Sequence, residues 1–224
     1  MASRIKLKDR ILPVYTGGEE IFNMVSHIVG GAVGVITLLA CVLISAFDKN
    51  VMGVVCSAVF GASMITLYTM SSIYHGLKNE TAKKVFQVID HCTIYFLIAG
   101  TYTPMVLCGL MRTSPMWAWI IFFIVWGCAA VATILTAIDL KKYKVFSMIC
   151  YVAMGWAILL SIKNMYYAIG PAGFALLLGG GVAYTGGIVF YKLGKNKKYF
   201  HSIFHLFVLV GSITHALCVI FYVL

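Results

Sequence analysis

This sequence is short of charge. Asp, Glu, Lys and Arg make up 11% of its 224 residues, against 62% apolar residues. A soluble domain carries about 25% charge. So much apolar surface exceeds what one core can hide, and the solvent must be lipid. The apolar runs extend over the whole chain, which makes it one integral membrane domain. Other absences narrow the reading. The basic N-terminus, MASRIKLKDRILPVYTGGEE, is not followed by a short apolar run and a small-residue cleavage site, so no cleaved targeting segment is expected. All seven cysteines (Cys41, Cys56, Cys92, Cys108, Cys128, Cys150 and Cys218) lie inside apolar runs, with no C-x-x-C. That argues against a disulfide framework and a cysteine zinc site, and they read as small packing residues. There is no Walker motif, Rossmann fingerprint or G-x-S-x-G, and no internal repeat or low-complexity tract. The net charge of +10 needs no nucleic-acid partner.

What is present is a series of seven apolar runs, each near the roughly 20 residues a helix needs to cross hydrocarbon. They cover 21–46, 52–75, 85–110, 116–138, 145–162, 172–191 and 201–223, after a basic tail over 1–20. The expected fold class is all-α, a seven-transmembrane-helix bundle filling 21–224. Lys and Arg alternate between the connections. The tail (Arg4, Lys6, Lys8, Arg10) and the second, fourth and sixth loops (Lys78, Lys83, Lys84; Lys141, Lys142, Lys144; Lys192, Lys195, Lys197, Lys198) hold fourteen. The other loops hold three, Lys49, Arg112 and Lys163. The positive-inside rule places the fourteen in the cytoplasm, with the N-terminus inside and the C-terminus outside. Glycine-rich stretches at 30–34 and 179–187 read as close helix packing. Pro104 is expected to distort the third helix, and Trp117 and Trp119 suit the outer interface.

On this topology the ionisable groups gather near the cytoplasmic face. His75 and Ser71 end the second helix, Asp90 and His91 begin the third, and His201 and His205 begin the seventh. Histidines four residues apart project from one helix face. Two from one helix and a third from another form a three-nitrogen site suited to zinc, with a fourth position for water. Metal coordination brings the pKa of water towards about 7. Asp90 is then the candidate base, and Ser71 a candidate hydrogen-bond donor to a substrate carbonyl. Each has a plainer reading: a serine bonding its own backbone, or an aspartate favoured by the helix dipole. His27 reads as a histidine snorkelling to headgroups. His215 lies about 15 Å further along the seventh helix.

Three motifs carry a family resemblance. EIFNMVSH (Glu20, Asn23, Ser26, His27), SSIYH followed by VIDH, and HSIFHLFVLVGSITH resemble the signature motifs of the progestin and adiponectin receptor superfamily, in order and on the corresponding helices. The short loops are most similar to its bacterial hemolysin III branch. The resemblance implies zinc held by His75, His201 and His205, with Asp90 and Ser71 beside it. It also implies a multi-pass protein of the plasma membrane, here the bacterial inner membrane. The expected function is a zinc-dependent hydrolase of a lipid amide or ester, similar to ceramidases, whose partner is a membrane lipid substrate or ligand. The alternatives are a pore-forming, cytolytic protein and a sensor of membrane lipid or energy state with a structural zinc. His91 departs from the receptor pattern, and the receptors' long N-terminal domain is missing.

Overall fold

The computed structural model describes residues 7–194 and 197–224. Arg4, Lys6 and Lys195, three of the basic residues counted above, lie outside the described residues. Helix α1 runs over Gly17–Phe47 and begins at a reciprocal cap. The Thr16 hydroxyl accepts from the Glu19 N–H at 3.3 Å, and the Glu19 carboxylate accepts from the Thr16 N–H at 2.8 Å. This satisfies donors that a helix start otherwise leaves open, and it moves the start one turn ahead of the expected residue 21. Asn50 and Asn79 cap α2 (Val51–Gly76) and α3 (Glu80–Pro104), each accepting a backbone N–H at 2.9 Å. Pro115 opens α4 (Pro115–Ile138), at the position where its missing N–H costs nothing. Helix α5 (Lys144–Gly155) passes through a 3₁₀ segment, Ala157–Ser161, into α6 (Ile162–Leu193). Helix α7 (Phe200–Cys218) ends in a π-helical turn, Val219–Val223.

The protein is all-helical among its described residues. Among the described residues, six helical stretches are long and apolar enough to cross a membrane: Gly17–Phe47, Val51–Gly76, Glu80–Arg112, Pro115–Ile138, Lys144–Leu193 and Phe200–Val223. The expected fifth and sixth spans both fall in the 50-residue stretch Lys144–Leu193. That stretch is not straight. Gly170 has φ 68° and ψ 177°, and Pro171 follows it. The Trp156 indole N–H donates to Thr185 Oγ1 at 3.0 Å, and Lys144 Nζ lies 6.0 Å from the centre of the Tyr191 ring. In an unbroken helix Trp156 and Thr185 would stand about 43 Å apart. The two arms therefore fold back on each other at Gly170, in a backbone region that only glycine enters readily. The expected distortion at Pro104 is present as well. The residues after it, Met105–Gly109, form a π-helical turn, followed by a 3₁₀ turn at Leu110–Arg112.

Helix α1 packs on α2 and α7, α2 on α3, α3 on α4, and α6 on α7. Small residues permit the closest of these approaches. A Cβ on Gly30 would collide with the Tyr68 ring, and one on Gly34 would come within 3.2 Å of the Ile65 backbone nitrogen. Polar contacts then lock the layers. Tyr68 donates to Ser212 Oγ at 2.7 Å, and the Tyr184 hydroxyl bonds the same oxygen at 2.7 Å, joining α2, α6 and α7. The outward face of α1 exposes Ile21, Val25, Ile28 and Ile36, a surface suited to acyl chains. All seven cysteines are free, in keeping with packing roles.

Candidate metal centre

His75 lies in the last turn of α2, and His201 and His205 lie in the first two turns of α7. Four-residue spacing puts the latter two on one face. The fold brings the third to them: one ring nitrogen from each of His75, His201 and His205 lies within 4.8 Å of the other two. His205 Nε2 and His201 Nε2 are 3.1 Å apart. His75 Nδ1 lies 2.7 Å from Glu20 Oε2. A carboxylate only accepts, so Nδ1 carries the proton, and in the neutral imidazole Nε2 is then the nitrogen with the lone pair. That Nε2 is buried with no hydrogen-bond partner, a costly state for a polar atom. Three converging imidazoles, one of them orphaned on its free nitrogen and held from behind by a carboxylate, form a donor set that fits a metal ion.

Ser71 and Asp90 line the same cavity as His201 and His205, a space of about 440 Å³. The Ser71 side chain lies beside the Asp90 carboxylate. The fold thus places both sequence-derived candidates beside the histidine cluster. The cavity wall continues through apolar side chains, among them Leu67, Leu97, Ile98 and Val208, as far as His215.

The other histidines divide. His91 also lines the cavity, but its Nδ1 lies 2.8 Å from the Gln87 carbonyl of its own helix. His215 Nε2 bonds the Leu177 carbonyl at 2.9 Å, and its ring fills the space that a Cβ on Gly180 would need. His27 does not snorkel. It is 4% exposed, stacks on His205 with ring centres 3.8 Å apart, and meets the edge of Tyr68 at 5.0 Å. The close approach of α1 to α2 at Gly30 and Gly34 turns this face of α1 inward, which the sequence position near a helix end does not reveal.

Three further residues at the site were not anticipated as such. Glu20 belongs to a quoted motif that carried no assigned role. Lys83, whose Nζ lies 2.6 Å from Glu20 Oε1, entered only as a loop charge. Tyr15, just ahead of α1, stacks on His201 with ring centres 4.9 Å apart and planes 19° from parallel. Burial holds the Tyr15 hydroxyl well above its ordinary pKa, so it faces the cluster as a neutral phenol.

A multi-pass, all-helical membrane protein with a buried three-histidine cluster beside an apolar cavity is the class that fold and site define. Within it, this chain belongs to the haemolysin-III-related family, whose model matches residues 15–216. It is 36% identical over 206 residues to Hemolysin-3 of Bacillus cereus, covering 92% of each chain. It is 34% identical over 209 residues to the Hemolysin-3 homolog of Bacillus subtilis (strain 168), covering 93% of this chain and 96% of that one. The human monocyte to macrophage differentiation factor is 30% identical over 162 residues, 70% of this chain and 66% of its own. The recognition drawn from the three motifs therefore holds.

Proposed function

We propose that this protein is a zinc-dependent hydrolase of an amide or ester bond in a membrane lipid, with its site near the cytoplasmic face of the plasma membrane. The observation that carries this reading is the convergence of three imidazoles at an apolar cavity, whose wall includes two of them, His201 and His205, together with Ser71 and Asp90. An amphipathic substrate needs that combination: apolar depth for a chain and polar chemistry at one end. Zinc suits the donor set. Zn–N distances of about 2.0–2.1 Å imply tetrahedral nitrogens about 3.3 Å apart, close to the 3.1 Å between His201 and His205.

Bound zinc supplies Lewis acidity and lowers the pKa of water at the site towards about 7. The chain's own groups do the rest. Asp90 takes a proton from the attacking water at a carboxylate oxygen. Ser71 orients that carboxylate through its hydroxyl, one helical turn from His75. The walls at Leu67, Leu97 and Val208 exclude bulk water and align the acyl chain. The seven-crossing topology belongs to the same proposal. It is supported by the fold-back at Gly170, which allows Lys144–Leu193 to cross twice.

The test is metal content by mass spectrometry on gently purified protein, followed by turnover of ceramide-like amides and lipid esters. One zinc per chain, lost in His75→Ala and in the His201→Ala/His205→Ala double variant, with turnover abolished by chelation, is the expected result. Equal lipid hydrolysis with and without metal would sink the idea. A second reading, a cytolytic protein, draws on the name of the Bacillus cereus relative. Leakage of liposomes caused by the purified protein and unchanged by chelation would favour it.

A further inference from the structure

The geometry points to Lys83 and Glu20 as positioning residues for His75, an inference that rests on the three-histidine zinc site proposed above. One carboxylate joins three helices. Glu20, in the first turn of α1, accepts from His75 Nδ1–H at 2.7 Å through Oε2 and from Lys83 Nζ at 2.6 Å through Oε1. Lys83, in the first turn of α3, also donates to the His75 carbonyl at 3.5 Å and the Leu77 carbonyl at 3.4 Å. These carbonyls lie at the end of α2, where no further turn supplies donors. Lys83 therefore holds His75 twice, by its backbone directly and by its ring through Glu20.

The consequence is chemical as well as mechanical. With Glu20 fixed, His75 Nδ1 must be the protonated nitrogen, and its Nε2 lone pair is the one presented towards His201 and His205. Without Lys83, Glu20 Oε1 has no partner from α3, and the carboxylate is free to rotate off the ring. The arrangement is not an ordinary surface ion pair, which contributes little. The side chains of Lys83 and Glu20 are 12% and 20% exposed, and that of His75 is 0% exposed. The exposed Lys78, in the connection between α2 and α3, has no such position and serves as a control of equal charge.

The experiment measures zinc affinity of the full chain in detergent by competition with a chromogenic chelator, together with the ligand-field spectrum of the cobalt-substituted protein. Lys83→Met and Glu20→Gln are each expected to weaken zinc about 10- to 100-fold, the usual cost of losing an outer-shell partner, and to shift the cobalt bands. The double variant should lose less than the two single losses combined, because Lys83 acts on the ring through Glu20 and only its hold on the α2 carbonyls is independent of that carboxylate. Lys83→Arg should restore affinity, and Lys78→Met should leave it unchanged. If Lys83→Met does not fold, Lys83→Gln, which keeps donors for the two carbonyls, reads the same affinity. Wild-type affinity in the Lys83 variant, or losses that add in the double variant, would overturn the positioning role while leaving the three-histidine site standing. A wild type that binds no zinc would overturn both.

Discussion

Asp90 separates an enzyme from a metal-stabilised sensor. Asp90 lines the cavity beside Ser71, while the candidate ligands are all imidazoles. Asp90→Asn keeps the shape and removes the proton acceptor. Zinc content is expected to stay at the wild-type level while lipid turnover falls by about 10²–10⁴-fold, the usual contribution of a general base. Parallel metal analysis and product assay check this, and loss of zinc together with turnover would make Asp90 a ligand instead. At the far end of the cavity, Gly180→Ala drives a methyl group into the His215 ring. Overpacking of this kind costs about 1–3 kcal/mol, so the melting temperature should fall and partly recover in Gly180→Ala/His215→Ala. At this scale the sequence was legible where spacing carries geometry. Histidines four apart, a serine one turn from a histidine, and an aspartate at the same depth all pointed to the cluster. Glu20, Lys83 and Tyr15 were not legible, because their roles depend on how the ends of α1, α2 and α3 meet. His27 was misread for the same reason: its depth along α1 gives no information on which way that face turns.

Among the elements, the stretch Lys144–Leu193 departs furthest from its sequence pattern. The apolar run reads as ending near residue 162 because Lys163 and Asn164 interrupt it, yet α6 begins there, after the 3₁₀ segment, and stays helical to the break at Gly170. Hydropathy reports composition, and a snorkelling lysine near an interface lowers it without ending a helix. The break is a backbone event, visible in the sequence only as Gly170-Pro171. At φ 68° and ψ 177° an L-residue is strained by about 1–3 kcal/mol. Gly170→Ala is therefore expected to lower the melting temperature in detergent. Ala172→Gly, two residues on, should cost less than that. Equal effects would mean that the Gly170 backbone relaxes freely. The start of α1 teaches the converse lesson: T-x-x-E at Thr16–Glu19 is a readable capping box, and it places the boundary where the apolar run alone did not.

For the whole molecule, the decisive question is how often Lys144–Leu193 crosses the bilayer. Charge bias and the contacts across Gly170 bear on it independently. With two crossings, fourteen Lys and Arg face one side and three the other. With one crossing, the four lysines between Lys192 and Lys198 change sides, the split becomes ten against six, and Lys163 is left in the hydrocarbon. A charge there costs about 2.5–3.5 kcal/mol even on insertion scales, so the fold-back resolves a conflict that a single long helix would create. Labelling tests it directly. Six native cysteines are buried and Cys128 is half-buried, so an exposed cysteine placed at Ala172 or Lys142 should dominate the reaction with a membrane-impermeant maleimide. In intact cells Ala172→Cys should react from outside, and Lys142→Cys only after lysis. A single crossing would instead bury position 172 in lipid and leave it unlabelled in both conditions. It would also carry His201 and His205 to the opposite face from His75. The histidine cluster is therefore itself a constraint on topology: His75, at the end of α2, and the His201–His205 pair, at the start of α7, can meet only if the chain between them crosses an even number of times.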